Sequence, residues 1–237
     1  MSRTPADLIG RVEGGERPSE GELLRALRSA SCPARLVAVL EGCRWVRGAR
    51  RVMAIILRHP ACSVSFAVDA VGRVGWVELL AVTRDPRAAP AVRRLAERRL
   101  LERVGEMSQG ERVALARRAP RALFALLMAD ETPRTIAALL DNPLFCEVDA
   151  VRLVNLNPHL ECVRVALGHA RWGRLPAVVQ AAVRLRKLPL AVAASLAVTL
   201  SEPQLRQLEG SAETPAELRQ ALRRLRAHRQ AMPAQRR

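Results

Sequence analysis

The chain contains no tyrosine, three phenylalanines, three tryptophans and a single lysine, Lys187, in 237 residues. Aromatics this scarce leave the interior to Ala, Leu and Val, which suits helices packed closely through small side chains. No apolar run reaches the roughly 20 residues that a membrane-spanning helix needs. The longest, Leu188 to Leu200, is interrupted by Pro189 and Ser195. The opening Met1-Ser-Arg-Thr-Pro-Ala-Asp has no apolar stretch of the secretory kind. The resulting expectation is a cytoplasmic, bacterial-type protein that does not engage a membrane.

Catalytic signatures are missing as well. Cys32, Cys43, Cys62, Cys146 and Cys162 are odd in number and no two stand in CxxC spacing. With no export signal a disulfide framework is not expected, and each is read as a small hydrophobe of the core. His59, His159, His169 and His228 show no HExxH or other metal-ligand spacing. There is no GxGxxG or Walker-type phosphate loop and no GxSxG elbow. Glu147 and Asp149, two apart, point to different faces of a helix, and Asp130-Glu131 before Thr132-Pro133 reads as an acidic helix start. No catalytic centre, cofactor or metal is expected, so the protein is read as a non-enzyme.

Arginine is what the chain has in excess, and it carries almost all of a formal charge of +16. A GC-rich genome favours Arg and Ala codons over Lys, which is a bland cause with a physical consequence. Guanidinium grips phosphate and carboxylate bidentately, and a charge of this size bears on partners and solubility rather than on fold.

A short phrase recurs: Arg58-His59-Pro60, Arg84-Asp85-Pro86, Asp141-Asn142-Pro143 and Leu156-Asn157-Pro158, with a degenerate copy at Gly168-His169-Ala170. The polar residue is read as a helix N-cap and the proline as the first helical residue. His59 joins the set by position alone. Capping boxes are expected at Ser19–Glu22, Ser108–Glu111, Ser201–Gln204 and Thr214–Glu217. These signals divide the chain into about a dozen helices of roughly 9–17 residues. β alternation persists nowhere, and Cys62 to Val68, the nearest case, reads as buried helix. The organisation expected is a flexible lead over 1–18, one helical repeat domain over 19–230 and a disordered basic tail over 231–237.

Prolines 60, 86, 120 and 143 follow one another at intervals of 23 to 34 residues, a length that points to stacked helical repeats. On Leu57-Arg58-His59-Pro60, Leu139-Leu140-Asp141-Asn142-Pro143 and Val154-Asn155-Leu156-Asn157-Pro158 followed by Val163-Arg164-Val165-Ala166-Leu167, the chain resembles the HEAT-like and leucine-rich-repeat-variant families. The resemblance covers about residues 50–228 and is irregular, since Gly173, Leu175 and Pro176 spoil one copy. It implies an all-α, right-handed α-solenoid. Such families work mostly as protein-binding scaffolds, with some nucleic-acid binders and a few DNA-repair enzymes among them.

Charge is unevenly placed. Between Glu41 and Asp69 there is no carboxylate, and on a continuous helix Arg44, Arg47, Arg51 and Arg58 share one face, with Trp45, Val46, Val52, Met53 and Ile56 broadly opposite. A second acid-free interval, Cys162 to Ser201, holds Arg171-Trp172-Gly173-Arg174, an aromatic between two cations. Trp172 reads as a wedge between repeats, or else as a surface that stacks a base or clamps a partner. Arg93 with Glu97 and Arg98 with Glu102 are paired at four-residue spacing, leaving Arg99 and Arg103 for structural roles.

The function expected is a scaffold presenting an arginine-rich surface to an acidic protein partner. The alternative is non-specific nucleic-acid binding along the same surface. A third reading, a DNA glycosylase of HEAT-like build, has only Glu78 and Asp69 near Trp76 to offer as acid and aromatic.

Overall fold

The computed structural model describes residues 5–231. Sixteen α-helices and three 3-10 turns make up its regular structure, and no strand occurs among the described residues. The fold is all-α. Contacts group the chain into two compact units, Met1–Met107 and Ser108–Arg237.

The first unit holds α1 (Pro5–Glu13), α2 (Glu20–Arg28), α3 (Ala34–Gly42), a 3-10 turn (Arg44–Gly48), α4 (Arg50–Ile56), α5 (Val64–Arg73), α6 (Trp76–Arg84), α7 (Pro90–Arg103) and a 3-10 turn (Val104–Glu106). Here α1 packs on α3, α2 on α4, α4 on α6 and α5 on α7, and α6 and α7 form a close pair. The second unit holds α8 (Gln109–Ala116), a 3-10 turn (Arg121–Leu123), α9 (Phe124–Met128), α10 (Pro133–Leu140), α11 (Glu147–Leu156), α12 (Leu160–Gly168), α13 (Pro176–Val183), α14 (Leu190–Ala197), α15 (Glu202–Gly210) and α16 (Ala216–Ala231). Here α8 packs on α10, α10 on α12, α11 on α13 and α14 on α16. Many helices thus lie against the next but one in sequence.

Helices this short are marginal alone and must bury an apolar stripe to persist. Leu23 and Leu27 of α2, Leu36 and Leu40 of α3 and Val52 and Ile56 of α4 are almost wholly buried. The same holds for Ile136 and Leu139 of α10, Leu153 of α11 and Val163 of α12. Residues 5–13 are not part of a loose lead: Leu8 and Val12, one turn apart, are buried as α1 packs on α3. The basic tail expected from 231 lies outside the described residues, apart from Ala231, which ends α16.

The helix starts agree with their sequence signals in most places. Ser19 Oγ accepts from Glu22 N–H while Glu22 accepts from Ser19 N–H, and Ser108 with Glu111 repeats the arrangement. At Ser201 the backbone N–H donates to Gln204 Oε1 at 2.8 Å. Thr214 departs from expectation. Its buried hydroxyl donates back to the Leu208 carbonyl at 2.7 Å rather than capping the helix that follows.

The recurring polar–proline phrase does a different job from the one expected. Asp85, Asn157 and His169 cap the C-terminal ends of α6, α11 and α12, Asn142 follows the cap of α10, and the next helices start several residues later. A residue before proline is pushed out of the helical region, so the pair ends one helix instead of starting another. Each side chain then points two ways. Asn142 Oδ1 accepts from Leu144 N–H, and its Nδ2 donates to the Ala116 and Ala119 carbonyls at 2.8 and 3.1 Å. Asn157 Oδ1 accepts from His159 N–H, and its Nδ2 donates to Met128 and Asp130 carbonyls at 2.7 and 3.0 Å.

His59 and His169 reproduce this with a ring. Nδ1 of His59 accepts from Ala61 N–H and Nδ1 of His169 from Arg171 N–H, which fixes the proton of the neutral ring on Nε2. From there His169 reaches Asp141 Oδ1 at 3.3 Å, and His59 lies against the Cys32 backbone. The copy at 168–170 is therefore chemically complete. These stitches span 23 to 29 residues, so each turn is sewn to the turn of a preceding helix.

Asn157→Ala removes the amide partner of the buried Met128 carbonyl, of the half-buried Asp130 carbonyl and of the His159 N–H, at about 1–3 kcal/mol for each group left without a partner that water does not reach. A thermal melt is expected to fall clearly for Asn157→Ala. His59→Asn is expected to retain most of the stability that His59→Ala loses, because the amide supplies the same acceptor and donor. Equal losses for the two His59 variants would refute the shared role.

Candidate functional site

The arginine stripe expected over 44–58 does not form as one helical face. Arg44–Gly48 is a 3-10 turn, Ala49 is non-helical at φ −97°, ψ 78°, and α4 begins only at Arg50. The angular register between Arg44 and Arg58 is lost at that break. Acids from other helices also supply the neutralisation that the local sequence lacks. Arg47 lies 3.4 Å from Asp69, Arg51 3.4 Å from Glu20 and Arg58 2.8 Å from Asp85. Among the four, Arg44 alone has no such pair among the described residues. Asp69 also meets Arg73, so it is held by two guanidiniums.

Trp172 is a packing wedge. It is 3% exposed, its Nε1–H donates to the Leu140 carbonyl at 2.9 Å, and its ring meets Phe145 edge-on at 5.6 Å. His169 stacks on it at 6.4 Å and the Arg171 guanidinium covers it at 4.2 Å. No open face remains for a ligand base. Gly173 permits the approach, since a Cβ there would stand 1.9 Å from the Leu167 carbonyl oxygen. Arg171 and Arg174 stay exposed beside this wedge.

Many other guanidiniums are structural. Arg103 donates to Val74 and Gly72 carbonyls near the end of α5 at 2.6 and 2.8 Å. Arg121 binds the Leu144 carbonyl and buried Asp149, and Arg229 binds the Leu200 and Val198 carbonyls after α14. Lys187 Nζ donates to the Asn157 carbonyl. Arg98 and Arg99 both pair with Glu102.

The cysteines are free thiols, Cys62 and Cys162 buried, the other three half-buried rather than in the core. Burial pushes the Cys62 thiol up to about 12, with Glu41 adding to it, so it is no nucleophile. Among the described residues no group of His, Cys, Asp or Glu is placed to hold a metal, and no helix is long and apolar enough to cross a membrane.

Among the concavities of the described residues, two gather several polar and charged side chains from separate helix ends or loops. In the second unit a 670 Å³ cleft between α11 and α13 is lined by Asn155, Gln180, Arg184, Arg186 and Glu213 over an apolar floor. In the first unit a 370 Å³ pocket beside the ends of α2 and α4 is lined by Arg28, Ser29, Cys32, Arg58, His59 and Arg87. Beneath it Asp85, 6% exposed, accepts from Arg58 Nε at 2.8 Å and from Arg87 N, Nε and Nη2 at 3.0, 3.3 and 3.3 Å. Sequence reading named Arg58 but missed this grouping, because Arg28 comes from the end of α2 and Arg87 from the turn after α6, far apart in the chain.

No protein-family model, curated protein or solved structure matches the chain.

Trp172→Ala is expected to cost about 3–5 kcal/mol, as truncation of a buried aromatic does, and an unchanged melt would refute the wedge. Burial alone would raise the Asp85 carboxyl, but hydrogen bonds from Arg87 and Arg58 outweigh it and hold it down to about 2. A carboxyl lowered in the folded state stabilises above its unfolded pKa, and that contribution vanishes as pH falls through the folded value. Wild type is therefore expected to exceed Asp85→Asn in denaturant stability at neutral pH and to lose that margin between about pH 4 and 2. A margin independent of pH would refute the charged role of Asp85.

Proposed function

We propose that the protein is a non-enzymatic scaffold whose helices stack as an α-solenoid, right-handed as in the families it resembles, and whose arginine surface holds an acidic protein partner. The observation that supports it is the set of turn-to-turn stitches described above. Side chains on successive turns repeat one contact across a spacing of 23 to 29 residues, as expected where repeated helical pairs stack. Such stacks offer extended surfaces instead of a buried reaction centre. On these surfaces Arg44, Arg171 and Arg174 carry charge with no carboxylate pair among the described residues, while Arg47, Arg51 and Arg58 already share theirs. Residual cations beside satisfied ion pairs favour an acidic polypeptide. A duplex would require many free cations along a continuous track.

The test is a pull-down from lysate with and without nuclease, beside a salt titration of DNA binding by the purified chain. Captured protein is expected to persist after nuclease and to diminish with Arg171→Gln/Arg174→Gln. DNA affinity is expected to be no better than the roughly 10⁻⁴–10⁻⁶ M of non-specific binding at physiological salt. Capture abolished by nuclease, with tight DNA binding and a steep log–log salt slope, would replace this reading with the nucleic-acid one.

A further inference from the structure

The pocket beside the ends of α2 and α4 has more cationic hydrogen-bonding capacity than its own carboxylate consumes. Asp85 is saturated by four donors from Arg58 and Arg87. Those bonds use only Nε of Arg58, and Nε and Nη2 of Arg87. Both terminal nitrogens of Arg58 and Nη1 of Arg87 keep free N–H groups. Arg28, the last residue of α2, lines the same pocket and has no carboxylate pair among the described residues. His59 contributes no charge at neutral pH, since burial and then Arg87 lower its pKa.

Three guanidiniums over one carboxylate leave two positive charges. The last turns of α2 and α4 border the pocket and bring about half a negative charge each, so an excess of about one charge remains. We propose that this pocket binds the oxyanion of a phosphomonoester. A carboxylate offers two oxygens and one charge, which a single guanidinium already matches. A phosphomonoester offers three acceptor oxygens and between one and two charges, so it engages Arg28, Arg58 and Arg87 together. The 370 Å³ volume admits the phosphoryl group with the first atoms of its carrier. This deepens the scaffold reading by giving the partner's acidic group a chemistry, and it rests on that reading only for the carrier being a polypeptide.

The experiment is isothermal titration of the full chain at low salt with inorganic phosphate, a blocked phosphoserine peptide and glutarate. Both phosphates are expected to bind and glutarate to bind at least tenfold more weakly. Tighter binding of the phosphoserine peptide identifies a polypeptide carrier, and tighter binding of inorganic phosphate identifies the free ion. Arg28 has no hydrogen bond or ion pair among the described residues, so the melt of Arg28→Gln is expected to match wild type while phosphate affinity falls about tenfold or more. Arg94→Gln, exposed on α7 and outside the pocket, is expected to change nothing. No phosphate binding by wild type, glutarate bound as tightly, or an equal loss in Arg94→Gln would overturn the assignment. These titrations contain no protein partner, so their failure leaves the scaffold reading to its own capture experiment.

Discussion

Everything in this fold depends on how short helices dispose of their last carbonyls. A helix of seven to ten residues, the length of α2 to α6, has up to four free C=O groups, a large part of its whole backbone. Packing side by side buries the apolar stripes but also crowds these ends against one another, away from water. An unpaired buried carbonyl costs free energy comparable to a lost hydrogen bond. Turn residues that accept from the backbone just ahead and donate to the turn before solve both problems at once. Asn142 and Asn157 are buried because that is where the orphan carbonyls are.

The same need absorbs much of the arginine. Arg103 and Arg229 end on carbonyls at the C-terminal ends of α5 and α14, where a cation also meets the negative end of a helix dipole, and Arg121 and Arg219 end on loop carbonyls. Long side chains with several donors span gaps that asparagine does not. A formal charge of +16 thus overstates the charge available to a partner. The carbonyls account for why so many of these arginines are held in contact with the fold.

Local signals were legible and non-local ones were not. Ser19 and Ser108 with their acids three residues on were read correctly, because a capping box is closed within one turn of chain. The class, all-α, follows from such signals and from missing β alternation. Trp172 was legible as a wedge, since a large apolar ring at a helix junction has few other places to go. The arginine stripe failed for two physical reasons. A 3-10 turn over Arg44–Gly48 broke the helical register, and Glu20, Asp69 and Asp85 arrived from elsewhere in the chain. The asparagine–proline pairs were located correctly but assigned to the wrong helix, because a side chain suited to a cap serves equally well in a turn that closes a helix.

The candidate pocket follows from one chemical difference at an otherwise repeated position. Where Asn142 and Asn157 have an amide, the turn after α6 has Asp85. Its Oδ1 still accepts from the backbone N–H two residues on, as the amide oxygens do. A carboxylate cannot donate, however, so its other oxygen cannot satisfy a carbonyl of the preceding turn and must be met by a donor. The donor supplied is Arg58, just before His59 in the preceding copy of the phrase, joined by Arg87 from the turn itself. Exchanging amide for carboxylate therefore converts a neutral stitch into a charged one. Because two arginines share that one acid, the conversion leaves positive charge at the surface. At Asn142 and Asn157 no guanidinium hydrogen-bonds the amide among the described residues, and the cation at the Asn157 turn, Lys187, is taken up by the Asn157 backbone carbonyl. The structural solution to a helix end and the origin of an anion-binding pocket are the same substitution.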